Sequence, residues 1–181
     1  MNRPHILVVM VEDHPGVLNR VVSLLRRRSI NIDSITVGHT EQTGVSRMTL
    51  VLPGTDDYIE QATKQLYKLL EVLKVTDVTD LPVVSHEMAL IKVSAKSQHR
   101  QEILLIGQMF NARVIDASPN TLLLEMTGPE DQVDSLLTML RSFGIRELVR
   151  TGSIAMTRGS SQISGKGLHN GVADIVAVGA N

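Results

Sequence analysis

The chain has 181 residues, 43% of them hydrophobic and 20% charged, enough for one large core or two small ones. Eighteen basic against nineteen acidic residues leave a net charge of -1, so no overall field draws the chain to nucleic acid or to an anionic membrane. The absence of cysteine excludes disulfides, thiolate metal sites and a cysteine nucleophile and suits a reducing cytoplasm; the early apolar run at 6–11 is too short to span a bilayer, and no signal or transit peptide is visible.

In chain order, residues 5–12 read as a buried strand. Residues 15–28 read as a helix with Val17, Leu18, Val21, Leu24 and Leu25 on one face and Arg20, Ser23 and Arg27 outside it. The junction is Glu12-Asp13-His14-Pro15-Gly16-Val17-Leu18-Asn19-Arg20. Pro15 presets φ and needs no amide partner, Gly16 removes the Cβ that keeps a ligand off the backbone, and the free amides of the first turn can hold a small carboxylate. The same Pro-Gly pair also serves simply to start a helix. Ile30-Asn31-Ile32-Asp33-Ser34-Ile35-Thr36-Val37 alternates with period two, 40–44 supply turn chemistry and 46–52 alternate again, a hairpin ended by Pro53-Gly54. A helix over 56–70 carries Ile59, Ala62, Leu66, Leu69 and Leu70 at helical spacing, and a strand over 72–81 includes Val72, Val75 and Val78. The order is βαββαβ.

That order recurs: a strand at 88–93, a helix at 98–110, a hairpin of 112–117 and 122–126 around Ser118-Pro119-Asn120, a helix at 130–143 and a closing strand at 145–156. Val11 matches Val93, an offset of 82, and Gly54 matches Gly128, an offset of 74, because the second hairpin turn is shorter. The expected class is α+β, with two ferredoxin-like βαββαβ modules whose antiparallel sheets carry helices on one face. The expected divisions are 1–80, a linker at 81–85, 86–158, and a mobile tail at 159–181 too poor in large apolar groups to order itself. Few contacts are expected to cross a cut near Asp80. Ile35 and Val37 are expected on the sheet face without helices, which favours cover by a second subunit and a dimer at least; the alternative is that the two modules cover each other.

Other chemistries find little support. The six histidines, at 5, 14, 39, 86, 99 and 169, form no His-x3-His pair, so no dedicated metal site is expected. Residues 159–167 miss the phosphate-loop spacing, with Gly167 where the metal-binding hydroxyl belongs. RNA binding on this topology stacks bases on sheet aromatics, whereas Tyr58, Tyr67, Phe110 and Phe143 all fall in predicted helices. A phosphate-cleaving enzyme of acylphosphatase type needs a cationic first loop, where this chain has Glu12 and Asp13. Arg26-Arg27-Arg28 suits a helix C-terminus by the macrodipole.

The stretch 11–20, followed by Ser29-Ile30-Asn31-Ile32-Asp33-Ser34-Ile35-Thr36-Val37 and Val45-Ser46-Arg47-Met48-Thr49, strongly resembles the small, regulatory subunit of acetolactate (acetohydroxyacid) synthase. The likeness is specific over 5–80, where it resembles an ACT domain. It is weaker but colinear through 81–158, an ACT-like module in which Arg150-Thr151-Gly152 and Arg158-Gly159 fit the family's C-terminal pattern, and it is absent from the tail. Asp13 stands where the family often has Asn, and Ser29 where Gly commonly precedes the Asn-Ile pair. The resemblance implies a cytoplasmic, non-catalytic subunit of branched-chain amino acid (valine, leucine, isoleucine) biosynthesis. It would activate a large catalytic subunit that makes acetolactate and CO2 from two pyruvates, and would confer feedback inhibition by valine. It would bind no cofactor itself, thiamine diphosphate, Mg and FAD belonging to the catalytic partner. It also implies a homodimer in which the effector lies between two N-terminal modules, with Asn31 and Ile32 coming from the neighbour of the chain that supplies Gly16. The effector set is then Asp13, His14, Pro15, Gly16, Val17, Leu18, Asn31, Ile32, Ile35 and Val37: donors from the turn, acceptors from Asp13 and Asn31, and an apolar pocket from Val17, Ile32, Ile35 and Val37. The alternative is a stand-alone ACT-type sensor regulating another enzyme or transporter.

Overall fold

The computed structural model describes residues 2–159, so the expected mobile tail lies, beyond Gly159, outside the described residues. The first half forms β1 (Arg3–Glu12), α1 (Val17–Arg27), β2 (Ser34–His39), β3 (Val45–Gly54), α2 (Asp56–Leu66) and β4 (Val72–Asp77). The second forms β5 (Val83–Ser94), α3 (Ser97–Met109), β6 (Arg113–Ser118), β7 (Thr121–Gly128), α4 (Glu130–Leu140), β8 (Ile145–Arg150) and β9 (Ile154–Thr157). Both sheets are antiparallel, ordered β2-β3-β1-β4 and β6-β7-β5-β8, with β9 paired to the start of β5.

Alternation decides which residues make each core. Leu7, Val9 and Val11 of β1 and Met48, Leu50 and Leu52 of β3 face α1 and α2, and Ala89, Ile91, Val93, Leu122, Leu124 and Met126 do the same beneath α3 and α4. The repeat extends to its irregularities. A bulge at Met10/Val11 recurs at Lys92/Val93, and left-handed Ser29 (φ 57) recurs at Asn111 (φ 55). Each left-handed residue ends a helix by returning the next amide to the carbonyl five back, Ile30 to Leu25 at 3.0 Å and Ala112 to Gly107 at 2.8 Å.

Four expectations change. β2 starts at Ser34, because Ile30 is drawn into the core by the helix cap and Asn31 is tied to Asp33 in a local turn. α2 stops at Leu66, after which Lys68 and Leu69 bond three residues back and Leu70 stands 93% exposed. Val83 and Ser85, expected in a linker, belong to β5. The closing strand breaks at 151–153, where Gly152 takes φ +82, and β9 turns back to pair with 83–86.

That ribbon overturns the expected exposure of the first sheet. Ile35 and Val37 pair with Leu50 and Met48, both in the helix-side core, so they lie on the helix side and Ser34 and Thr36 point to the open face. On the open face Val8 and Val78 are buried against Ala155, with Ile6, Met10 and Val83 packed around them. The chain covers the middle of this face with its own C-terminal ribbon. Two clefts flank it: one of about 680 Å³ among Arg3, Asp33, Ser34, Glu87 and Arg150, the other of about 560 Å³ among Val37, Arg47, Val84, Ile154 and Met156.

Candidate functional site

The β1–α1 turn is pinned on both sides and open at its tip. The Glu12 amide donates to the Glu71 carbonyl at 2.9 Å and that of Asp13 to the Gly44 carbonyl at 2.8 Å. Gly16 is the N-cap of α1 at φ 93, and a Cβ there would meet nothing within 4 Å among the described residues. No side chain caps α1 and its first turn holds no acid, whereas α2 starts on Thr55, whose hydroxyl accepts from the Tyr58 amide. The first helix-type amide bond is Arg20 to Gly16 at 3.0 Å, so the amides of Leu18 and Asn19 have no acceptor within the helix and lie beside the bare glycine. That end carries the positive pole of the helix, suited to a carboxylate. Arg20 is ion-paired with buried Glu71, which ties the first turn of α1 to the start of β4.

The sequence-predicted residues divide. Pro15 and Leu18 are exposed at the turn, and exposed His14 sets Nε2 3.2 Å from Glu12 and Nδ1 3.3 Å from the Pro15 carbonyl. Asp13 is held by its own chain, its carboxylate accepting from the Ser46 hydroxyl at 3.2 Å and lying 3.0 Å from His39 Nδ1. Val17 is 3% exposed and packs into the core of its own module. Asn31 is exposed and donates to Asp33 at 2.9 Å; Ile32 and Ile35 pack on the edge of the core, and Val37 is 46% exposed.

Asn31 and Ile32 do not meet the turn within one chain. β2 runs parallel to β1, because both are antiparallel to β3, and the Asp13–His39 contact sets the turn beside the C-terminal end of β2. Asn31 and Ile32 precede the other end, about 17 Å away at ~3.4 Å per residue along the strand. β2 is also an edge of its sheet, paired only to β3 among the described residues. His39, Ser46 and Glu71 escaped sequence reasoning, since each joins the turn from a distant segment and no local pattern announces it.

The fold and this turn define the class: two ACT-type modules in tandem, the first opening on a glycine-capped turn. Residues 7–74 match the family described as "AHAS small subunit-like ACT domain", and residues 86–159 that described as "Small subunit of acetolactate synthase". The chain belongs to the acetolactate synthase small-subunit family. It is 46% identical over 158 residues to the probable acetolactate synthase small subunit of Archaeoglobus fulgidus, spanning 87% of this chain and 99% of that protein. With the Bacillus subtilis small subunit it shares 45% over 159 residues, 87% and 92% of the two chains. The crystal structure of the Thermotoga maritima small subunit superposes with a TM-score of 0.82 at 40% identity, over 88% of this chain and 99% of that one.

Proposed function

We propose that this chain is the regulatory subunit of a cytoplasmic acetolactate synthase. It senses valine between two copies of its first module and acts on a separate catalytic subunit, which alone holds thiamine diphosphate, Mg and FAD. The observation that carries the sensing role is the combination, among the described residues, of an uncapped α1 terminus over Gly16 with a β2 edge that no second strand pairs. Antiparallel pairing of two β2 edges about a two-fold axis lays the start of one β2 beside the end of the other. Asn31 and Ile32 of one copy then approach the 13–18 turn of its partner, the juxtaposition that a single chain fails to make. In that pocket the valine carboxylate takes the first-turn amides of α1, its ammonium takes the acceptors on Asn31 and Asp13, and its isopropyl group meets Ile32, Ile35 and Leu18.

Regulation is then linkage. Valine stabilises one arrangement of the dimer, the catalytic subunit is most active with the other, and each affects the other by the same coupling free energy, typically ~1–3 kcal/mol. Calorimetric titration of the purified chain with valine, leucine and isoleucine tests the sensing role. Co-purification with a thiamine-dependent partner, together with assay of acetolactate formation from pyruvate with and without this chain, tests the regulatory one. Failure to bind any of the three amino acids overturns the first; failure to change the partner's activity overturns the second.

A further inference from the structure

β2 is gripped on its open face by the C-terminal module. The Thr36 hydroxyl donates to the Ser153 carbonyl at 2.9 Å, and the Ser153 amide donates to the Ser34 hydroxyl at 3.1 Å. Both backbone groups of one buried residue of the second module are thus held by two side chains of the first module's edge strand. One strand over, Arg47 of β3 donates to the Ala155 carbonyl at 2.5 Å, with burial pushing its guanidinium below its ordinary pKa and the Glu41 charge only partly restoring it. Gly152, between β8 and this grip, has no room for a side chain: a Cβ would lie 2.3 Å from Ser34 Oγ and 3.4 Å from Thr36 Cγ2.

The far side of the grip is anchored as firmly. Arg150, three residues before Ser153, pairs with Glu87, which is 5% exposed, and with Asp134 of α4 at 2.8 Å. Residues 151–153 are therefore the short span between a charge cluster fixed in the second module and two hydroxyls fixed on β2. A shift or twist of β2 has a direct route into β8 and the second sheet. Ser34 lies three residues from Asn31, so that route starts where the proposed effector contact ends.

We infer that Ser34 and Thr36 are positioning residues: through Ser153 they transmit the state of the effector site to the second module, and they bind no effector themselves. The inference rests on the sensing role proposed above. The test uses the full chain with its catalytic subunit and measures two quantities, valine affinity by calorimetry and the valine concentration that half-inhibits the complex. Ser34→Ala/Thr36→Val should leave affinity within about twofold of wild type and raise the half-inhibitory concentration by about tenfold or more, the usual size of an inter-site coupling. Thr36→Ser, which keeps the hydroxyl, should inhibit as wild type does, separating loss of the hydrogen bond from loss of packing. A double variant that is inhibited normally at normal affinity overturns the inference while leaving the sensing role intact. So does one whose affinity falls in step with its inhibition, because that places the two side chains in the binding site. A wild-type chain that takes up no valine overturns both.

Discussion

Ser29 and Gly16 both occupy left-handed backbone, with opposite consequences for substitution. Ser29, at φ 57, closes α1 as the residue after its C-cap, a place where a side chain costs conformational energy and glycine does not. Ser29→Gly should therefore stabilise the chain by roughly 0.5–1 kcal/mol, part of the relief being offset by the freer unfolded chain. Urea unfolding checks it, and an unchanged midpoint counts against strain at this cap. At Gly16 a Cβ meets nothing within 4 Å among the described residues, so Gly16→Asp should fold, at the cost of the backbone strain that a side chain meets at φ 93. It should nevertheless lose feedback while keeping most activation. A carboxylate ~4 Å from the effector's own repels it by about 4 kcal/mol at an effective dielectric of 20, up to roughly three orders of magnitude in affinity. A variant enzyme that stays fully sensitive to valine removes this turn from the site.

Among the elements, β2 governs both assembly and sensing. Its start and its end belong to different halves of the proposed pocket, so lesions in the two halves should complement when chains are mixed. Asn31→Ala alone should weaken valine by about 1–3 kcal/mol, the cost of leaving a polar group unpartnered. In a heterodimer of Asn31→Ala with Gly16→Asp, one site carries both lesions and the other neither. Titration of the mixture should reveal a class of sites with near-normal affinity. Equal impairment of every site would place the pocket within a single chain, against the separation that the length of β2 imposes.

At the scale of the molecule, the modules repeat in topology but are not free of each other. A fragment ending at Asp80 keeps the whole first sheet, both its helices and the 13–37 segment, yet it loses Ala155 and Val83 from above Val8 and Val78. Exposing two valines that are 1% accessible costs roughly 3–6 kcal/mol as an upper bound, a large share of the stability of so small a domain. The fragment should fold with a lower denaturant midpoint than the full chain and self-associate through the uncovered face. Unfolding and sedimentation measurements check both, and a fragment as stable and as well dispersed as the full chain would make the ribbon's packing inconsequential.

Periodicity alone determined the two βαββαβ units, because a pleat buries every second residue and a helix every third or fourth, and the chain writes both periods twice. Pro15-Gly16 likewise announced a strand-to-helix turn, since its backbone demands are local. Three things waited for the tertiary structure. The face on which Ile35 and Val37 lie depends on pairing register, and a one-residue offset in reading β2 reverses every side chain. The exposure of Leu18 beside buried Val17 follows from the rotation of α1 on its sheet, which apolar spacing leaves open by a residue. The ribbon of β5 and β9 over the first sheet joins residues more than sixty positions apart, and contacts at such separation are settled by the packing of finished modules rather than by any pattern along the chain.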